Sequence, residues 1–221
     1  MQKIAIICAM QVELDAVNRL LTNVEEINIG PRKFFKGSFN NKEIITVKCG
    51  IGKVNAGITT SLLLNEFKPN LVINSGVAGG YSTKLKTLDV VIANQVFYYD
   101  VDCTFGELSM CYGQVQDEPA RFECSKHLID LLENQSIDCN CHVGAIMTAD
   151  QFATDRTYLT NILDKHFQDV ELYAVDMESA AIAHTANQFN TPLVIVRSIC
   201  RKLISSHYCT YMTITINRLI F

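Results

Sequence analysis

Short apolar runs rich in β-branched residues recur along this chain, separated by stretches with helical periodicity. Lys3–Cys8, Leu71–Asn74, Val90–Val96, Cys141–Met147 and Leu193–Ile199 read as buried strands. Val12, Ala16, Val17, Leu20 and Leu21 form a helical stripe, and a second helix opens near Lys53 and ends before Pro69. Two more are expected over 125–134, with Ser125 as its cap, and over 155–167. Val170–Val175 is a further strand. It leads into Ser179-Ala180-Ala181-Ile182-Ala183, a helix whose short side chains let it lie close against a sheet or another helix. Phe34–Phe39 and Glu43–Val47 read as a hairpin turned at Asn40-Asn41, residues that tolerate left-handed backbone. This alternation predicts an α/β fold, a single domain with a mixed central sheet flanked by helices. The sequence contains no repeat, low-complexity tract or linker to divide it.

Composition narrows the function. With 48% hydrophobic and 19% charged residues the chain can bury a core, and a net charge of −4 gives no basic footprint for nucleic acid or an anionic membrane. The apolar start is followed at once by Glu13 and Asp15, unlike a signal peptide, and no apolar run reaches the roughly 18 residues of a membrane span. A cytoplasmic protein is expected. Nine cysteines, an odd number without a framework, read as reduced, buried small residues. Cys139-Asn140-Cys141-His142 lacks the second ligand pair that a zinc site requires, so no metal is expected.

Several loops sit where ligands bind. Cys49-Gly50-Ile51-Gly52-Lys53 permits a tight strand-to-helix turn and close approach of backbone to a ligand, although alone it is weak evidence and is not a P-loop. Ser75-Gly76-Val77-Ala78-Gly79-Gly80 reads as a glycine-rich bend at the carboxyl end of a strand, the place where open α/β sheets take ligands. The irregular stretch from Tyr98 to about Arg121 is long enough to be functional or part of an interface. Asp176 and Glu178 flank Met177 at a strand–helix junction. By themselves two such carboxylates are as well explained by solvation or by the helix dipole, and so is Glu13 in the first turn of its helix.

Taken in order, Ala9-Met10-Gln11-Val12-Glu13, the glycine segments, Thr148-Ala149-Asp150-Gln151-Phe152 and Val175-Asp176-Met177-Glu178 resemble the methylthioadenosine/S-adenosylhomocysteine nucleosidases, members of the nucleoside phosphorylase superfamily. The resemblance implies a nucleoside phosphorylase-type domain over 1–199. It also implies hydrolysis of methylthioadenosine and S-adenosylhomocysteine to adenine and the thio-ribose product, with water as co-substrate and no metal or organic cofactor, a cytoplasmic role in methionine salvage and purine nucleoside catabolism, and a homodimer in which residues 105–112 reach a neighbouring pocket. Carried over residue by residue, it makes Glu13 the general base and Glu178 the ribose acceptor beside Asp176, with Met177 packed under the sugar and Met10 lining the same end. Phe152 would stack on the purine, Gln151 and Ala153 would offer backbone groups to the adenine edge, and Val77, Gly79 and Ile51 would complete the walls. Ala153 is smaller than the branched aliphatic often found at its position, and Val77 stands where many relatives have serine.

The resemblance is expected to end at Ile199. Relatives continue Arg-(Ala/Ser)-(Ile/Val)-Ser-Asp, where the aspartate protonates the leaving adenine; this chain reads Arg197-Ser198-Ile199-Cys200-Arg201. Residues 200–221 are then a tail unlike the family, with a strand-like pattern over 210–216, and a disrupted reading frame would explain it. Two alternatives stay open: a catalytically inactive nucleoside-binding or truncated homologue, favoured by Arg201, and a phosphorolytic relative. The latter is opposed by Glu13 and by the lack of any arginine before Arg19.

Overall fold

The computed structural model describes residues 2–105, 110–133 and 140–200. Among these described residues ten strands and five helices follow one another as β1 (Lys3–Cys8), α1 (Gln11–Asn18), β2 (Thr22–Ile29), β3 (Arg32–Phe39), β4 (Lys42–Lys48), α2 (Lys53–Phe67), β5 (Leu71–Gly80), β6 (Val90–Tyr98), β7 (Phe122–Glu123), α3 (Lys126–Glu133), β8 (Cys141–Thr148), α4 (Arg156–His166), β9 (Leu172–Asp176), α5 (Ser179–Gln188) and β10 (Leu193–Cys200). All the strands belong to one mixed sheet, as the alternation of apolar runs and helical stripes predicts.

The sheet partly closes on itself. β5 pairs in parallel with β10, β10 antiparallel with β6, β6 in parallel with β8, β8 in parallel with β9, and β9 antiparallel with the last glycines of β5. β1 extends the sheet from β5, and the β4–β3–β2 meander follows outward. Strands covered on both faces lose the alternating pattern of half-exposed ones, and β1, β5 and β10 are buried almost throughout. α5 lies against the sheet with Ala180, Ala181, Ile182 and Ala183 buried, and its small side chains admit α2 as a neighbour.

Three expectations change. β2 was not foreseen: its residues are mostly exposed, and charged Glu25 and Glu26 lie on an edge strand, where charge discourages further pairing. Ser75 to Gly80 is the continuation of β5 and not a bend, running in register with β10 as far as Gly79 opposite Cys200. The glycines here serve close packing: a Cβ on Gly79 would meet Val175 Cγ2 at 3.2 Å. The first helix stops at Asn18, short of the expected Leu21. Asn40 and Asn41 do turn the hairpin, with φ of 47° and 59°. Residues 106–109 of the expected interface loop, Cys139, Arg201 and the strand-like 210–216 lie outside the described residues. No helix among the described residues is long and apolar enough to cross a membrane.

Candidate active site

A cavity of about 420 Å³ opens where β1, β5, β9 and β10 end and α1 and α5 begin. One side is formed by Met10 and Glu13 from the start of α1, with Val77 and Gly79 from β5. Asp176, Met177 and Glu178 form the opposite side at the β9–α5 junction, and Ile51, Gln151, Phe152 and Ala153 close the rim. All eleven residues singled out in the sequence therefore border one cavity. Gly76, Arg197 and Cys200 also line it.

Glu13 is 1% exposed, which excludes a solvated first-turn glutamate. Its side chain turns back to the start of its own helix, where Oε2 accepts from the Ala9 and Met10 amides, both at 2.9 Å. Oε1 accepts from the Val77 amide at 3.2 Å, tying α1 to β5. Burial pushes its pKa up; these amides and the Arg197 charge pull the other way without cancelling the shift.

Glu178 is 6% exposed, and its Oε1 accepts from the Gly52 amide at 3.0 Å. Its pKa is pushed up to about 7, first by burial and then by the negative charge of Asp176, against the pull of Arg197 and the Gly52 amide. Because that value lies above the usual 4.5, ionising Glu178 costs the fold stability as pH rises from about 4.5 to about 7.

Asp176 has a different place from Glu178. Its carboxylate accepts from Thr148 Oγ1 at 2.6 Å, from the Ser179 amide at 3.2 Å and from the Ser179 hydroxyl. It is also ion-paired with Arg197, through Nε at 2.9 Å and Nη2 at 2.8 Å. Asp176 reaches the cavity wall with both carboxylate oxygens already engaged.

Arg197 is the residue that sequence reasoning passed over. It is 1% exposed, and Nη2 also donates to Asn74 Oδ1 at 2.6 Å and to Ser179 Oγ at 2.9 Å. Nη1 is buried without a hydrogen-bond partner. A Cβ on Gly76 would stand 2.8 Å from Nη1 and 3.2 Å from Glu13 Oε1, so the missing side chain of Gly76 is what lets the guanidinium and the carboxylate share one corner. The available signal was one cation inside the apolar run Leu193–Ile199, because an arginine in a buried strand needs a paired carboxylate.

Phe152 and Ile51 stand at the rim, 62% and 56% exposed. Among the described residues no three His, Cys, Asp or Glu side chains are grouped to hold a metal. His142 instead places Nε2 3.1 Å from Asp89 Oδ2.

The family model of the phosphorylase superfamily matches residues 3–207, running past Ile199, where the resemblance was expected to stop. A 5'-methylthioadenosine/S-adenosylhomocysteine nucleosidase of Exiguobacterium sp. is 42% identical over 202 residues, covering 89% of this chain and 84% of that one. The nucleosidase of Neisseria meningitidis, solved in complex with methylthio-immucillin-A, superposes with a TM-score of 0.92 at 30% identity, over 100% of this chain and 99% of that one. A futalosine hydrolase mutant of Helicobacter pylori superposes with a TM-score of 0.90 at 29% identity, over 100% and 99%, so the same fold also carries another substrate. A shared superfamily model and this degree of identity over nearly the whole length lead to one conclusion: the chain belongs to the 5'-methylthioadenosine/S-adenosylhomocysteine nucleosidase family of the phosphorylase superfamily.

Proposed function

We propose that this protein hydrolyses the N-glycosidic bond of 5'-methylthioadenosine and S-adenosylhomocysteine. The observation that carries the reading is the pair of buried carboxylates, Glu13 and Glu178, in one cavity beside the unpartnered Nη1 of Arg197. In the proposed reaction a water oxygen bonds to the anomeric carbon as the carbon–nitrogen bond breaks. One water proton goes to Glu13, and the departing adenine takes up a proton from solvent at a ring nitrogen. The ribosyl group is cationic in the transition state, and carboxylates around it favour that charge. Glu178 accepts from the ribose hydroxyls, and Met177 packs under the sugar with its polarizable thioether. Arg197 helps place the attacking water next to Glu13. Phe152 stacks on the purine, while Gln151 and Ala153 offer backbone groups to its edge.

Water fits this corner better than phosphate. The absence of an arginine early in the sequence is no argument, since the fold brings Arg197 to the site. Its charge is met by Asp176, however, and Glu13 and Glu178 add carboxylates that repel an anionic nucleophile. The reaction requires no metal or organic cofactor. Its products place it in methionine salvage and purine nucleoside catabolism, in the cytoplasm. Adenine release from methylthioadenosine, assayed with and without phosphate, tests the reading; a strict phosphate requirement would convert it to phosphorolysis. A non-catalytic nucleoside-binding protein is the second reading, because Arg201 stands at the position of the expected aspartate. Binding without any release of adenine would select it.

A homodimer completes the proposal. Val54 and Ile58, one turn apart on α2, are 70% and 47% exposed, and exposed Ile51 adjoins them at the cavity rim. A second copy covering this face would bury that apolar surface next to the site. Sedimentation velocity should give a dimer, and charged substitutions at Val54 and Ile58 together should give a monomer.

Glu178→Gln should weaken binding of a nucleoside by roughly tenfold or more, since a charge-assisted hydrogen bond is worth about 1.5–3 kcal/mol. Wild-type affinity should fall as pH drops below about 7, where Glu178 takes up a proton, and that limb should vanish in the variant. Calorimetry showing equal affinity for a folded variant and the wild type would remove Glu178 from the ribose site.

A further inference from the structure

Two loops at the rim are tied together by charged side chains that do not line the cavity. The turn before α2 supplies the Gly52 amide to Glu178, and the 149–153 segment supplies Gln151, Phe152 and Ala153. From the latter segment Asp150 reaches across, and its Oδ1 accepts from the Lys53 amide at 2.7 Å. Asp100, just past β6, grips both sides: its Oδ1 and Oδ2 accept from Lys53 Nζ at 2.7 and 2.8 Å, and Oδ2 also accepts from the Asp150 amide at 2.9 Å. Lys53 Nζ sits 5.2 Å from the centroid of the Tyr98 ring, over its face, which fixes the side chain from another direction.

The ring of contacts bears on one position that requires glycine. Gly52 has a φ of 95°, a conformation that L side chains rarely adopt, and a Cβ there would meet Asp150 Oδ1 at 3.0 Å. Asp150 holds the peptide that follows Gly52, and the N–H of the peptide before it donates to Glu178 Oε1. The Lys53 and Asp100 side chains are only 21% and 17% exposed, so their pair is less screened than a surface ion pair.

We propose that Lys53, Asp100 and Asp150 form a clasp that aims the Gly52 amide at Glu178, making them positioning residues for the ribose-binding carboxylate. The inference rests on the ribose role given to Glu178 above. A consequence separates positioning from support of the fold alone. The Gly52 amide holds the Glu178 pKa down, so releasing it moves the acid limb of ligand affinity to higher pH. The other groups that act on Glu178 or neighbour it, namely Asp176, Arg197, Glu13 and the Cys49 thiol, are untouched by substitutions in the clasp.

The probe is the C-nucleoside analogue of methylthioadenosine, whose carbon–carbon glycosidic bond cannot be hydrolysed. Its affinity is measured by calorimetry across pH for the full chain and its variants, each with a melting midpoint. Asp150→Ala should weaken binding about tenfold, the effect of losing one charge-assisted hydrogen bond, and raise the acid limb. Asp150→Asn keeps an oxygen for the Lys53 amide and should restore most of both. Should Asp150→Ala fail to fold, Lys53→Met, which keeps the backbone amide and removes the pair with Asp100, carries the same expectation. An Asp150→Ala or Lys53→Met protein with wild-type affinity and an unmoved limb overturns the clasp, and so does one whose midpoint falls while the limb stays in place. No binding by the wild-type chain at any pH would overturn the Glu178 assignment along with it.

Discussion

Glu13→Gln should cost about 10²–10⁴-fold in the rate of adenine release, the usual contribution of a positioned general base, while nucleoside affinity changes little. The carboxylate is held by three backbone amides, from Ala9, Met10 and Val77. An amide side chain cannot accept the proton of an attacking water. Its NH2 group would also face at least one of those backbone donors, so the replacement loses orientation as well as basicity. Burial raises the Glu13 pKa, and only the ionised form acts as a base, so the wild-type rate should fall as pH drops through a value above the ordinary carboxylate range. That limb should disappear in Glu13→Gln. The comparison is best made in a chain carrying a family-like ending, where turnover is high enough to measure the loss. Full turnover by Glu13→Gln in that background would refute the assignment of the base.

How much of this was legible in the sequence depends on what each residue touches. β1, β5, β6, β8 and β10 announce themselves because strands covered on both faces must be apolar along their length. β2 carries no such signal: most of its residues face solvent, and only pairing with β3 makes it a strand. Ser75 to Gly80 looked like a bend because glycine is read as a breaker, but here glycines allow Val175 and Arg197 to approach. The site residues were named through a family resemblance, and the cavity gathers them from segments as distant as Met10 and Glu178. Their pairing was not legible. Asp176 and Glu178 are two residues apart, yet one is spent on Arg197, Thr148 and Ser179, while the other takes one amide and faces the cavity. Arg197 meets Asn74 across 123 positions, a relation no local pattern encodes. That buried cation is also why three carboxylates can gather at one cavity: without it, burial and mutual repulsion would drive more of them to hold protons.

Replacing residues 200–221 with an ending of the family type, Ser-Asp followed by a helix-forming segment, should raise adenine release by orders of magnitude. Adenine is a poor leaving group until a proton reaches its ring, and a general acid in that role contributes about 10²–10⁴-fold. This chain has no acidic residue after Glu178. Cys200 closes β10 against Gly79 and lines the cavity, and Arg201 follows it directly in the sequence. An arginine carries no proton it can give near neutral pH. The superfamily match running to residue 207 shows that likeness does not stop with the strand, yet this chain carries an arginine where the family resemblance leads one to expect the leaving-group aspartate. Two measurements bear on this. Reading the downstream nucleotides in another frame should recover a Ser-Asp pair if the ending arose by a frame disruption. Independently of that origin, Arg201→Asp with Cys200→Ser should recover part of the activity of the full replacement, because it restores the acid without the helix. If the unmodified chain turns over methylthioadenosine as fast as the replaced one, Arg201 is no handicap, adenine obtains its proton from another group, and the leaving-group argument falls.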